Sequence, residues 1–252
     1  LHEQRCGAVQ LERAARVLAA ARPTVVLTAT TAEVPSSVFG TAVPIIGIDE
    51  PVDGPDAPIR DDERRTPLHA DNTACVLYRP DPTGDLVGVA VTHRAVVNQL
   101  LWFSGRFGIS VADAVLWSTP ATVEGSVCEM LAPLAAGARL VVAPTAAPHD
   151  SAALIDIIER RAVTVASFAP ISLSRFTAAV ADPATLRSLR AVAVAGDPLP
   201  AATVAAFRMV SRAALHSLYG TAEFVAHATA NLVPPLRYLD PRGGAIGRPV
   251  WN

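Results

Sequence analysis

Residues Tyr78 to His93 read YRPDPTGDLVGVAVTH. The stretch lies between one apolar run, ACVLY, and a second that leads into a helical pattern. Strand, turn and helix in that order frame a phosphate-gripping loop, in which backbone N–H groups and a lysine surround an anion. Here the frame is filled differently. Pro80 and Pro82 carry no N–H, Asp81 and Asp85 repel an anion, and Val87 brings no charge. The competing reading is an ordinary strand–turn–strand connector, with Pro and Asp as turn formers. All 21 basic residues are arginine, so any step that needs an amine side chain must borrow it from elsewhere.

Other chemistries find no support. GxSxG, HExxH and GxGxxG are absent. The six histidines, His2, His69, His93, His149, His216 and His227, have no metal-ligand spacing. Cys6, Cys75 and Cys128 lie far apart without a CxxC pair, which fits a reducing, cytoplasmic setting. A net charge of −2 with scattered charges argues against nucleic acid. No apolar run reaches membrane-spanning length. A chain that starts at Leu1 reads as a piece of a longer one, with no signal peptide because Arg13, Arg16 and Arg22 break the early apolar stretch.

The elements that must position these residues follow from periodicity. Helical patterns cover 9–21, 126–135, 151–161, 171–180 and 201–210; another starts at Arg94, with Val96, Val97, Leu100 and Leu101 on one face. Apolar strand runs cover 24–28, 43–48, 74–78, 88–92, 114–117, 139–143, 163–168, 191–195 and 213–218, with a further strand at 224–231. Residues 50–72, with four prolines and the cluster DDERR, read as an exposed connector, and 234–247 as a Pro/Gly loop. Continuous apolar strands alternating with helices imply an α/β fold whose largely parallel sheet is covered by helices. Ligands then sit at the carboxyl ends of strands, here Tyr78, Trp117, Phe168, Gly196 and Tyr219. The domain division expected is 1–72, a partial α/β region with the connector, and 73–252, an α/β core.

Five segments in order, GVAVTH at 88–93, EGSVCE at 124–129, AGDPLP at 195–200, LYGTAE at 218–223 and GRPVWN at 247–252, resemble the adenylation domains of nonribosomal peptide synthetases, in the AMP-forming ligase superfamily. The resemblance implies the fold of their large N-terminal subdomain, over most of residues 9–252. It also implies that the ribose-binding aspartate and the small C-terminal subdomain with its catalytic lysine are absent from this piece.

The resemblance assigns roles by position. Thr83, Gly84, Gly88, Tyr219, Gly220 and Glu223 become a vestigial ATP site, Glu223 also the magnesium position, and Val87 replaces the loop lysine. Thr221-Ala222 replaces the usual Pro-Thr. An aspartate on a helix that pairs with the substrate ammonium becomes Glu124. Gly125, Cys128, Ser167, Ala193, Ala195, Leu218, Ala226 and His227 line the rest of the amino-acid pocket, either open or collapsed. The plainer alternatives are a core-packed Tyr219, a solvated Glu223, a packed His227 and a small buried Cys128. His93 is expected to cap the following helix. The functional expectation is a truncated, inactive adenylation domain, without ATP or magnesium, acting as a scaffold for condensation and peptidyl carrier domains. The alternatives are an active ATP- and magnesium-dependent amino-acid adenylating ligase completed by a missing C-terminal half, and a binding module that works without ATP.

Overall fold

Alternation of apolar runs with helical patterns becomes alternation of strands with helices. The computed structural model describes residues 8–29, 43–49, 54, 57–144, 150–235 and 245–251. Cys6, His2, His149 and parts of the expected 50–72 and 234–247 loops lie outside the described residues. Two compact units emerge: Leu1–His69 with Tyr78–Val89, and Ala70–Leu77 with Ala90–Asn252.

The first unit holds α1 (Ala8–Ala21) and a parallel pair, β1 (Val26–Thr28) and β2 (Ile45–Gly47), in register at Leu27 and Ile46. The connector's described part in this unit is exposed, with one short 3-10 turn at Asp61–Glu63. Hairpin β3 (Thr73–Pro80) and β4 (Leu86–Thr92) has its tip in this unit and its base in the second. Tyr78 lies inside β3 and so belongs to the hairpin, not to the carboxyl edge of the large sheet.

The second unit is built on seven strands: β5 (Ala114–Trp117), β6 (Arg139–Val142), β7 (Val165–Phe168), β8 (Ala191–Val194), β9 (Ala214–Tyr219), β10 (Thr229–Leu232) and β11 (Arg248–Pro249). Their order is β11-β10-β9-β8-β7-β5-β6, with β6, β5, β7, β8 and β9 parallel and β10 and β11 antiparallel. The helices are α2 (His93–Phe107), α3 (Ser126–Ala135), α4 (Ser151–Arg161), α5 (Pro170–Ala179) and α6 (Ala201–Val210). Side chains on a strand alternate between faces, and the core divides accordingly. Leu116, Ala166, Val192 and Val194 pack with Ile158, Phe176 and Phe207. Val115, Val165, Ala191 and Ala193 pack with Trp102, Phe103 and Cys128. The small alanines of β8 make room for the large rings of α2. No helix among the described residues is long and apolar enough to cross a membrane.

Three expectations change. Helix α2 buries Val96, Gln99, Trp102, Phe103 and Phe107, while Val97 and Leu101 are exposed. The big rings outweigh the aliphatic pairs and rotate the buried face. Thr92, not His93, caps α2, its hydroxyl accepting from the Ala95 N–H at 3.2 Å; a short hydroxyl in extended backbone reaches that orphan donor. The strand expected at 224–231 is a 3-10 turn at Ala222–Phe224 followed by β10, because Val225, at φ +70°, turns the chain first.

One buried carboxylate ties the amino-terminal edge of the sheet. Asp113, just before β5, accepts from Ser110 N (2.9 Å), Thr164 Oγ1 (2.7 Å) and Arg190 Nε (2.8 Å). Arg190 also donates to the carbonyls of Phe107 and Gly108. Burial pushes the Asp113 carboxyl up, but the Arg190 guanidinium and the Thr164 hydroxyl win and hold it well below the usual range.

Candidate functional site

The tip of the β3–β4 hairpin is closed by its own carboxylate. Asp81 Oδ1 accepts from Thr83 N (2.8 Å), Thr83 Oγ1 (2.6 Å) and Asp85 N (2.9 Å). The Gly84 N–H donates to the Asp81 carbonyl at 3.0 Å, and the Asp81 N–H to the Asp85 carbonyl at 2.7 Å. Pro80 and Pro82 have no N–H. Every backbone donor from Pro80 to Asp85, and the one hydroxyl, is thus used inside the turn. Gly84 sits at φ +89°, open to glycine and strained for other residues. The Thr83 hydroxyl, then the backbone donors, hold the Asp81 carboxyl below its ordinary value. Arg16 of α1 donates to Asp85 Oδ1 at 3.1 Å, pairing that cation with the chain's own acid, and Arg79 donates to the Pro80 carbonyl at 3.3 Å. Val87 and Gly88 lie exposed on β4.

In the second unit, strand order reverses between β5 and β7: the chain steps outward from β5 to β6, then returns to β7 on the other side. In doubly wound sheets that is where a crevice opens at the carboxyl edge. Glu129 fills it. This carboxylate on α3 is 2 % exposed. It accepts from Ser118 N and Thr119 N, both 3.1 Å, and from Thr119 Oγ1 at 2.5 Å. The Ser167 hydroxyl at the end of β7 also bonds to it. Burial pushes the Glu129 carboxyl up to about 7, against the pull of these donors. Sequence reasoning missed Glu129, although an acid between Cys128 and Met130, inside an apolar helical stretch, was a signal for a buried, hydrogen-bonded carboxylate.

The residues placed in an amino-acid pocket are mostly core. Cys128, Ala193, Leu218 and Ala226 are at most 4 % exposed and pack in one cluster with Trp102 and Phe103; Ala195 packs partly against it. Burial pushes the Cys128 thiol up to about 12. Glu124 and Gly125 are half-buried in the turn before α3, so Glu124 is not a helical residue as the resemblance implied. Gly125 stands at the N-cap, and a short turn is what carries the chain there from β5. His227 is 4 % exposed, and its ring lies 5.6 Å from Trp102 and 6.1 Å from Phe103. Burial lowers its pKa to about 4, so the ring is neutral at pH 7. Its carbonyl accepts from Gln99 Nε2 at 2.6 Å, while its own Nδ1 and Gln99 Oε1 have no partner among the described residues.

Tyr219, at the carboxyl end of β9, is 49 % exposed and lies outside both core clusters. The close approach that Gly220 permits is to the chain's own backbone: a Cβ there would lie 2.0 Å from the Ala226 carbonyl oxygen. Thr221 Oγ1 donates to Glu223 Oε2 at 2.6 Å. Val225 is buried at φ +70°, a conformation that costs a β-branched residue roughly 1–3 kcal/mol. That kink sets Glu223, Phe224 and His227 along a cleft of about 380 Å3, whose other wall includes Asn98, Gln99 and Trp251. Gln99 escaped the sequence reading because it is polar on a face identified by apolar spacing. Thr83, Gly84 and Gly88 are in the first unit; Tyr219, Gly220, Glu223 and all the pocket residues are in the second.

A family model described as AMP-binding enzyme matches residues 8–252. Vanchrobactin synthetase VabF of Vibrio anguillarum is 31% identical over 264 residues, covering 98% of this chain and 9% of its own length. Enterobactin synthase component F of Escherichia coli (strain K12) is 33% identical over 187 residues, covering 72% of this chain and 14% of its own length. The chain therefore spans a small part, 9% and 14%, of the curated relatives it matches. Among solved structures, the AMPPNP-bound nonribosomal peptide synthetase FmoA3 superposes with a TM-score of 0.82 at 23% identity, over 98% of this chain and 25% of that one. The N-terminal subdomain of NpsA from Klebsiella oxytoca gives 0.74 at 22% identity, over 95% of this chain and 58% of that one. These likenesses carry the fold: an α/β, mostly parallel architecture shared with the N-terminal part of adenylation domains.

Proposed function

Since the chain belongs to the AMP-binding enzyme family, matching the N-terminal part of nonribosomal peptide synthetase adenylation domains, we propose that it is an inactive member, kept as a scaffold between condensation and peptidyl carrier domains. The observation that carries this reading is the self-closed hairpin turn. A triphosphate needs free donors, and those of Thr83, Gly84 and Asp85 already serve Asp81. Releasing them would leave the Asp81 carboxylate beside the phosphates, where like charges repel. Val87 supplies no cation. The residues present do not fit ATP, and among the described residues Glu223, tied to Thr221, belongs to no cluster of three groups that could hold a metal ion.

What remains is a covered sheet whose implied amino-acid pocket is largely packed with side chains. Such a body holds neighbours in register without turning over substrate. The test is titration calorimetry of the chain with ATP and magnesium. No heat is expected up to millimolar nucleotide; micromolar binding overturns the proposal. Pyrophosphate exchange with a panel of amino acids is likewise expected to stay blank, and an exchange signal would establish an active adenylating enzyme instead.

A further inference from the structure

A cavity lies at the edge of the sheet opposite to Trp117, Phe168 and Tyr219. It holds about 600 Å3 and is formed by the segments that lead into β8 and β9. Arg187, Arg208 and Arg212 line it, and no acid does. The side chains of Arg187 and Arg212 are exposed and make no ion pair or hydrogen bond among the described residues. Arg208 is anchored, donating to the carbonyls of Ala213 (2.8 Å) and Val233 (3.2 Å), which are neutral and leave its charge uncancelled. The acid nearest in sequence, Asp182, accepts from the Ala184 N–H and does not line the cavity. Between the guanidiniums the wall is apolar: Leu186 and Leu189 at the base, and Met209, 81 % exposed, at the rim.

Three uncompensated cations around an apolar floor match one kind of occupant. We propose that this cavity docks an acidic peptide segment of a protein partner, with one large apolar side chain on the leucine floor and flanking carboxylates on the arginines. Guanidiniums suit carboxylates through paired N–H donors, and an exposed methionine adapts to varied apolar shapes. A bare inorganic anion would leave the apolar floor unused. The inference does not depend on nucleotide chemistry, because the cavity is at the other end of the sheet.

Fluorescence anisotropy tests it, titrating the whole chain into a fluorescein-labelled Asp-Glu-Leu-Phe-Glu-Asp peptide. Saturable binding is expected, weakening with salt as the charges are screened. The double variant Arg187→Gln/Arg212→Gln is expected to bind about fivefold more weakly, from two exposed charge pairs. Arg187→Lys/Arg212→Lys keeps the charge and most of the affinity. Exchanging the peptide's Leu-Phe for Ala-Ala, or its acids for amides, also weakens binding. No binding, or binding indifferent to the arginines, overturns the proposal. So does full displacement of the peptide by millimolar inorganic phosphate, which would make the cavity a small-anion site.

Discussion

Replacing Glu129 by Gln removes one proton from the folded chain's account with pH, and the consequences can be worked through. Burial moves the Glu129 carboxyl from 4.5 up to about 7. The folded chain therefore keeps a proton there that the unfolded chain releases above pH 4.5. By linkage, stability from this group is complete in acid and falls as pH rises, by about 1.4 kcal/mol per pH unit and about 3 kcal/mol in all. His216 and His227 work in the opposite direction. Burial lowers both from 6.5 to about 4, with Arg106 and Arg208 adding to the effect at His216. Unfolding charges them below 6.5, so each stabilises the fold fully above 6.5 and loses that contribution as pH falls towards 4.

Between pH 4.5 and 6.5 the unfolded chain thus holds two extra histidine protons and the folded chain one glutamate proton. Wild-type stability then climbs at about 1.4 kcal/mol per pH unit, and the Glu129→Gln variant at about 2.7. Glutamine keeps an oxygen for Ser118 N and Thr119 N, and its amide can donate to Thr119 Oγ1, which reverses its role. Urea unfolding of both chains at about pH 5, 6, 7 and 8 measures the difference. The variant is expected to gain on wild type by about 2.5 kcal/mol between the acid and alkaline ends. A difference constant within about 0.5 kcal/mol across that range would refute the claim that burial holds the proton.

Asp113→Ala leaves Arg190, Thr164 and the Ser110 N–H without their shared acceptor; calorimetry is expected to show the melting temperature lowered by about 10 °C. Gly220→Ala drives a Cβ to 2.0 Å from the Ala226 carbonyl oxygen; tryptophan-monitored unfolding should record a loss above about 2 kcal/mol. Asp81→Gly with Val87→Lys frees three donors at the hairpin tip and adds a cation; amide shifts at Thr83, Gly84 and Asp85 should report pyrophosphate binding at about millimolar strength, absent in wild type.

The fold was legible where one signal dominated. The spans 114–117, 126–135, 151–161 and 201–210 agree with the structure residue for residue, because each apolar run is bounded by a turn or a cap. Asp150 illustrates the cap, accepting from Ala152 N and Ala153 N. Legibility failed where aliphatic spacing and ring size disagreed. On α2, Val97 and Leu101 continue the pattern but face outward, since Trp102 and Phe103 occupy the space over Ala191 and Ala193. At 224–231 the apolar residues look like a strand, yet Gly220 must pass within contact of Ala226, and the chain turns before it extends.

The candidate site divides along the same line. Sequence shows that the turn at 80–85 carries acids and imino rings; it cannot show that one carboxylate gathers the turn's donors, because that depends on Asp81, Thr83 and Asp85 closing on themselves. Asp81 occupies the electrostatic role that a bound phosphate would have: a negative group receiving convergent N–H and O–H bonds. The loop therefore needs no ligand to satisfy its backbone, and folding itself supplies the competitor. Glu129 is the contrasting case at the switch point, a buried carboxyl that collects Ser118, Thr119 and Ser167 as donors while burial raises its pKa to about 7. The two positions differ in what mutation can recover. Asp81 is on a surface turn and can be removed without opening the core, whereas Glu129 is buried and its loss would strand two backbone N–H groups. A search for regained anion binding belongs at the hairpin, and a search for altered stability at α3.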